Sequence, residues 1–310
     1  MYRKTALIIV ALLLILFILF VYVFIPQKMN IVRSLPIRCT PNGAKRMILD
    51  TGKWKNWWPS GDSATSFGSD NFKFKPTIIS FDGIAVDISK PGFSNKAELQ
   101  ILPVSRDSVI LQWDCGEINS SINPLLRIKT YQLSKELNKE LNSILTRLRS
   151  VLEDEKNIYG LQVHKVKVKD STLIATRFTT PAYPTVQQVY NAIDRLKKYI
   201  AEQNASENNF PMMHVDAEAG SYQTMIAIPV NKELPEQNGF IQKRMVLGNI
   251  LEAEVTGGDL TVENGLRQLE QYKVDHELES PAIPFALLVT DRSKQTDTAK
   301  WVTKIYYPVF

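Results

Sequence analysis

The closing strand that the sequence predicts, Thr303–Val309, carries the two side chains with the clearest potential for chemistry, Lys304 and Tyr306. Both lie on one face of such a strand because successive side chains point to opposite faces. A lysine that faces a groove can neutralise an anionic ligand, or hold a lowered pKa when it is shielded from water. A lysine on the solvent face of the strand is the alternative interpretation.

Familiar catalytic motifs are missing from the rest of the chain. There is no Gly-x-Ser-x-Gly, Gly-x-x-x-x-Gly-Lys, His-Glu-x-x-His or Cys-x-x-Cys pattern. His214 lies in an apolar stretch typical of a hydrogen-bonded core histidine, and His164 alternates with lysines as an exposed side chain would. Asp216 and Glu218 share a strand face in a manner typical of solvated carboxylates. We therefore expect binding rather than catalysis, with no cofactor and no metal.

The net charge and the two cysteines do not point to a particular function. The net charge of +5 is spread along the 310 residues rather than gathered in a stripe, so we expect no nucleic-acid partner. The two cysteines, Cys39 and Cys115, allow one disulfide in an oxidising compartment, and buried free thiols are the alternative.

The segment expected to hold the rest of the chain at a membrane is an unbroken apolar run, Ala6 to Ile25. As a helix it is about long enough to cross the ~30 Å hydrocarbon core of a bilayer. Arg3 and Lys4 precede it, which favours a cytoplasmic N-terminus. We expect residues 1–28 to be a single-pass anchor in the inner membrane of a bacterium, with the lipid bilayer as partner and the bulk of the chain extracytoplasmic.

Residues 29–156 form the first predicted domain. The pattern predicts a strand over Met29–Cys39, a short helix capped by Thr40, and a tryptophan-rich stretch from Trp54 to Gly61. Strands and a long amphipathic helix follow: Phe72–Ser80, Ile84–Ser89, Lys96–Val104, Ser108–Asp114, Leu125–Gln132 and the helix Ser134–Glu153.

This order, with Cys39-Thr-Pro and Lys53-Trp-Lys-Asn-Trp-Trp-Pro, resembles the START-like (SRPBCC, polyketide-cyclase-like) superfamily. The resemblance implies a helix-grip fold, in which a curved antiparallel sheet wraps the long C-terminal helix and often leaves a hydrophobic cavity. Trp57 is a candidate ligand contact in that cavity, and packing in a core or lid is the alternative for the three tryptophans.

Residues 157–310 form the second predicted domain and contain an internal repeat. The helix predicted to begin after Thr185 is echoed after Thr261, and two strand sequences are echoed at similar offsets of 73 to 79 residues. Each half predicts the order strand, helix, strand, strand. Two such halves give an antiparallel sheet with both helices on one face and a groove between the halves. The whole chain is therefore expected to be α+β.

The second domain resembles the GyrI-like family, the effector-binding domain of AraC-type regulators, through Leu173–Arg177, Met245–Thr256 and Thr303–Val309. That resemblance implies a groove for small, often aromatic or amphipathic molecules. An acidic residue common in the closing strand of the family is Lys304 here, which favours an anionic ligand over a cationic one. We expect Lys304 and Tyr306 to point between the helices and the sheet, with Met225 and Tyr190 as further ligand contacts.

The sequence thus leaves three hypotheses. The leading one is a membrane-anchored protein that binds a small hydrophobic or amphipathic molecule. The second is a hydrolase of electrophilic small molecules that uses a tyrosine and a glutamate of the GyrI-like groove. The third is a structural or interaction module without a ligand.

Overall fold

A computed structural model describes residues 2–58, 67–68, 71–169, 172–218 and 220–310, and the side chains from residue 5 onward. Pro59 to Gly61 of the tryptophan-rich stretch lie outside the described residues, as do the side chains of Arg3 and Lys4. The chain divides into two compact units, Met1–Asp154 and Glu155–Phe310, called unit 1 and unit 2 below. Both units combine helices with an antiparallel sheet, as expected for an α+β chain.

Unit 1 begins with the apolar helix and continues into a six-stranded sheet and a long helix. Its helices and strands are α1 (Tyr2–Phe24), β1 (Lys28–Ile37), α2 (Pro41–Ile48), β2 (Phe67–Gly68), β3 (Lys73–Ile79), β4 (Gly83–Lys90), β5 (Phe93–Ser105), β6 (Ser108–Asn119) and α3 (Pro124–Leu152), with a 3₁₀ helix at Thr51–Asn56. The strand order is β1-β6-β5-β4-β3-β2. Thr40 caps α2 by accepting a hydrogen bond from the Gly43 amide at 3.1 Å, which confirms the predicted start of that helix.

The core of unit 1 lies on one face of its sheet. Alternate residues of β6, among them Val109, Leu111 and Trp113, are fully buried, while their neighbours along the strand are half exposed. Tryptophans of the 3₁₀ helix and of the two residues after it complete this core: Trp54 and Trp58 stack with ring centroids 5.3 Å apart. Burial of aromatic side chains on this scale is a large source of stability.

Helix α3 starts ten residues earlier than predicted. The sequence predicted a strand over Leu125–Gln132, but these residues form the first turns of α3. The physical reason is the helix start signal: Asn123 accepts hydrogen bonds from the amides of Leu125 and Leu126, and Pro124 holds the first helical position. This outweighs the β-like pattern of the following residues.

Helix α1 is long and apolar enough to cross a membrane, and its side chains are mostly exposed. Its C-terminal end is held by unit 1. The buried guanidinium of Arg127 on α3 donates to the Ile25 carbonyl, with Nε at 2.8 Å, and lies over the Tyr22 ring. A cation at a helix C-terminus satisfies a carbonyl that the helix itself leaves without a partner.

Cys39 and Cys115 are both buried free thiols. Cys115 adjoins Asp114, the partner of Val32, whereas Cys39 follows the far end of β1, so about 20 Å of extended strand separates them. That exceeds the ~7 Å that a disulfide spans. Burial raises the pKa of each thiol to about 12, with Glu153 adding to the effect at Cys39 and Asp114 at Cys115.

Unit 2 is a duplicated structure on an eight-stranded sheet. Its elements are α4 (Glu155–Tyr159), β7 (His164–Lys167), β8 (Thr172–Thr180), α5 (Val186–Glu202), β9 (Met212–Glu218), β10 (Ser221–Pro229), β11 (Ile241–Arg244), β12 (Asn249–Thr256), α6 (Asp259–Asp275), β13 (Phe285–Leu288) and β14 (Val302–Val309). The strand order is β11-β8-β10-β9-β13-β14-β12-β7, in which one half, β8-β10-β9, is followed by the other in reverse, β13-β14-β12. The outermost strands are exchanged between the two halves. Strand β7, which precedes the first half in the chain, pairs with β12 of the second half, and β11, which precedes the second half, pairs with β8 of the first.

Both long helices of unit 2 pack on one face of this sheet. Side chains of α5 form a core with β8 and β10, and side chains of α6 form a second core with β12 and β14. Gly265 permits close packing of α6, since a Cβ there would lie 2.7 Å from the Ile305 side chain. Helix α6 begins at Asp259 after Gly258, so Thr261, the predicted cap, lies within the first turn.

Candidate functional site

The candidate site is a groove on the face of the unit 2 sheet that carries neither α5 nor α6. In β14, Ile305 and Tyr307 belong to the core under α6, and Lys304 and Tyr306 point to the opposite face. The expectation that this pair lies between helices and sheet is therefore wrong. The strand alternation was predicted correctly, but the side of the sheet covered by helices was assigned to the wrong set of residues.

The floor of the groove is apolar. It is formed by a cluster of buried side chains whose described members all lie on strands: Leu173, Ala175, Met212, Ala227, Ile250, Phe285 and Leu287. Two adjoining cavities of about 390 Å³ and 240 Å³ open on this floor and share Met212, Met245 and Phe285. The first falls within the range of volumes found for small-molecule sites.

A carboxylate lies in the larger cavity and contacts both candidate residues of the closing strand. Glu252 of β12 accepts a hydrogen bond from the Tyr306 hydroxyl at 2.6 Å and forms an ion pair with Lys304 at 3.1 Å. Tyr306 also stacks on Phe285, with ring centroids 5.0 Å apart. Burial pushes the pKa of Glu252 up, but hydrogen bonds from Tyr306 and Lys304 outweigh it, so the net pKa lies below the ordinary value.

Sequence reasoning missed Glu252. The acidic residue expected by resemblance belongs to β14, whereas the register places Glu252 on β12, directly across from Tyr306. The local sequence, Glu252 and Glu254 alternating with apolar residues, does signal two carboxylates on one strand face. The pairing of β12 with β14 places Lys304 and Tyr306 beside Glu252, and this pairing cannot be read from the sequence of β12 by itself.

Basic side chains line the edges of both cavities. Lys167 and Lys169 line the larger one together with Lys304, and Arg177 and Lys243 line the smaller one together with Arg244. Arg244 also contacts Glu233, a residue outside the lining. Among the described residues that line the two cavities, Glu252 is the only acidic one.

The remaining predicted contacts are distributed over three places. Met225 lines the smaller cavity. Tyr190 lies on α5, on the helix side of the sheet, where its hydroxyl accepts a hydrogen bond from the Arg292 amide at 2.6 Å. Trp57 is fully buried in unit 1 and lies 5.0 Å from Trp54, ring to ring. Of the five predicted contacts, Lys304, Tyr306 and Met225 therefore line the groove, and Tyr190 and Trp57 do not.

Arg292 is a second charged residue that the sequence did not single out. Its side chain is 5% exposed, forms an ion pair with Asp259 at 2.8 Å and donates to the Thr303 hydroxyl at 2.8 Å. Its guanidinium also lies over the Trp301 ring. These contacts join the first turn of α6 to β14, so we assign Arg292 to stability rather than to the groove.

Comparison with known proteins gives matches among solved structures alone. No model of a known protein family matches the chain, and no curated protein sequence does. The matching structures include the C-terminal domain of EcmrR (15% identity, 48% of this chain and 98% of that one, TM-score 0.40). They also include a hydrolase from Listeria innocua (9%, 48% and 92%, 0.37) and SAV2435 bound to tetraphenylphosphonium (14%, 48% and 94%, 0.33). All three identities lie below 25% and all three TM-scores below 0.5. The GyrI-like and the START-like resemblances therefore both stay predictions.

Proposed function

We propose that unit 2 binds a small hydrophobic or amphipathic molecule in its groove and does not transform it. The observation that carries the proposal is the apolar floor on the helix-free face of the sheet. Strand β13 has buried side chains on both faces, but α5 and α6 pack against only one of them. Apolar surface left as the floor of a concave site is what a ligand of matching chemistry stabilises by removing it from water.

Binding of a neutral aromatic probe tests the proposal. We would titrate 2-naphthol into the full chain in nanodiscs of zwitterionic lipid, with empty nanodiscs as the blank, and follow heat and thermal stability. Affinity should fall at least about tenfold in Met245→Trp, because Met245 lines both cavities. Ligand at about 100 times its Kd should add ~2.7 kcal/mol to the stability of the wild type.

The matched control is Leu260→Trp, on the exposed side of α6, where Leu260 is 76% exposed. It adds the same ring away from the groove and should bind as the wild type does. Equal binding in the wild type and in both variants would contradict the groove as the site, and the absence of any binding would favour the module without a ligand.

Hydrolysis of an electrophile is the second candidate function, and the Tyr306–Glu252 hydrogen bond favours it. A hydroxyl and a carboxylate in contact at 2.6 Å can act as acid and base if a reactive molecule enters the larger cavity. The lowered pKa of Glu252 makes it a weak base, and for that reason we prefer binding. Turnover of 2-naphthyl acetate or styrene oxide that disappears in Glu252→Gln would support hydrolysis.

Membrane anchoring through α1 is the second part of the proposal. It is supported by the composition of α1 and by exposed apolar side chains beside its end: Ile122, Leu125 and Leu126 are 50–78% exposed, and the Ile122 carbonyl contacts the Tyr22 hydroxyl. A reporter that is active only in the cytoplasm, fused after Phe310, should be silent if the units are extracytoplasmic. A strong signal would reverse the orientation while leaving the anchor intact.

We also propose that unit 1 is a START-like, helix-grip domain and that the two units are separate domains. The order of elements supports the first idea: a strand, short helices, antiparallel strands and a long terminal helix. In this proposal the interior of unit 1 is filled by its own tryptophans. The ligand site of the protein is then the groove of unit 2.

A further inference from the structure

The charge of the groove points to the class of its ligand. We infer that Lys304, by neutralising Glu252, makes the groove selective for an anionic amphipathic molecule. This inference rests on the proposed binding function. It concerns the sign of the ligand's charge, which the apolar floor by itself does not determine.

The first step is that Glu252 is already satisfied within the protein. One carboxylate oxygen faces Lys304 Nζ at 3.1 Å and the other accepts from the Tyr306 hydroxyl at 2.6 Å. The Lys304 and Glu252 side chains are 34% and 23% exposed, so the pair lies partly out of water. A cationic ligand would have to compete with Lys304 for this carboxylate, and close contact of two cations costs free energy.

The second step is that, among the described residues that line the two cavities, the charged side chains other than Glu252 are lysines and arginines. Lys167 and Lys169 belong to the larger cavity, and Arg177 and Lys243 to the smaller. Acidic residues on the same sheet face, such as Glu254 across from Lys304, lie outside the lining. A ligand with an apolar body on the floor and an anionic group at the edge therefore meets complementary surfaces at both ends.

The third step concerns the internal symmetry of unit 2. Lys304 pairs with Leu287 on one side and Glu254 on the other, and Met225 holds the matching place in the first half, between His214 and Arg177. Methionine is thus compatible with this place in the sheet. Replacing Lys304 with methionine removes the cation and leaves the Glu252 carboxylate with Tyr306 as its partner in a partly buried cavity. Such a carboxylate attracts a cation.

The experiment compares two probes that share a ring system and differ in charge, 2-naphthoate and 2-naphthylmethylammonium. Both are titrated by calorimetry into the full chain in zwitterionic nanodiscs, with empty discs as the blank. The wild type should bind the anion more tightly. In Lys304→Met the ratio of the two affinities should shift toward the cation by about tenfold or more, which corresponds to 1.4 kcal/mol.

Lys300→Met is the matched control, because Lys300 is 69% exposed and pairs with Asp297 in a turn outside the groove lining. It makes the same change in net charge and should leave the ratio unchanged. Tighter binding of the cation by the wild type, or an equal shift in both variants, would overturn the inference while leaving 2-naphthol binding as support for the proposed function. If none of the three naphthalene probes binds, both the inference and the proposed function fail.

Discussion

Units 1 and 2 use the same kind of sheet in two different ways. In unit 1, strand β6 alternates buried apolar residues with half-exposed ones, so the sheet has one core face. In unit 2, strand β13 is buried at all four positions, with Ala286 and Leu288 toward the helices and Phe285 and Leu287 toward the groove. Unit 1 covers its apolar face with α3 and three tryptophans, whereas in the described part of unit 2 both long helices, α5 and α6, lie on the same one of its two apolar faces.

The difference shows where a binding site can be expected in such a protein. A sheet that is apolar on one face needs one covering layer, and unit 1 supplies it from its own chain. A sheet that is apolar on both faces needs two, and the second face of unit 2 is a groove with charged residues at its edges. A strand that alternates apolar and polar residues indicates a sheet with one apolar face, and a strand that is apolar at every position indicates a sheet with two.

The largest expected effect that tests this comparison comes from the tryptophan core of unit 1. Trp57→Ala should destabilise unit 1 by about 3–5 kcal/mol, because it removes a fully buried indole from close packing. If Trp57 were a ligand contact instead, the loss would appear in binding rather than in folding. Hydrogen exchange measured by mass spectrometry, segment by segment, distinguishes these outcomes.

The control for that measurement is Phe81→Ala, since Phe81 is 85% exposed in the same unit and should change stability by less than ~0.5 kcal/mol. Exchange in residues 155–310 should stay as in the wild type if the units are separate domains. Faster exchange throughout both units in Trp57→Ala would show a shared folding transition and would contradict the proposed division.

A smaller effect is expected on the covered face of unit 2. Arg292→Met should cost about 2–3 kcal/mol, since it leaves Thr303 and Asp259 without a buried, charge-assisted partner. Arg106→Met is the matched change in an exposed ion pair with Asp107 and should cost less than ~1 kcal/mol. Chemical denaturation of both variants gives the comparison. Equal losses of stability in the two variants would show that the buried contacts of Arg292 stabilise unit 2 no more than an exposed ion pair stabilises unit 1.

The smallest expected effect concerns the groove and depends on pH. Because the pKa of Glu252 is lowered in the folded state, its interactions stabilise the protein above the ordinary glutamate pKa of ~4.3 and are lost as the pH falls through the folded value. Glu252→Gln should therefore be less stable than the wild type at pH 7, by under ~1 kcal/mol, with the difference shrinking in acid. Glu254→Gln, which changes an exposed neighbour, should give little difference at either pH. A constant loss for Glu252→Gln across this range would contradict the assignment.

Local signals in the sequence determined several elements of this protein. The start of α2 at Thr40, the start of α5 after Thr185 and the two faces of β14 follow from capping residues and strand alternation, which depend on neighbours only a few positions away. The apolar composition of α1 likewise needs no tertiary partner to be recognised. The predicted strand over Leu125–Gln132 is helical because Asn123 and Pro124 start α3 there, and this local start signal outweighs the strand-like pattern of the following residues.

Tertiary structure decided which face of the unit 2 sheet is covered and which residues meet there. Alternation placed Lys304 and Tyr306 together, but whether helices or an open groove face them depends on how α5 and α6 pack across strands far apart in the chain. The contacts of Glu252 depend on the register of β12 against β14. That register brings Glu252 next to Lys304, which lies 52 residues away in the chain. Register is set by the joint burial of many side chains on two faces, so a single strand sequence does not contain it.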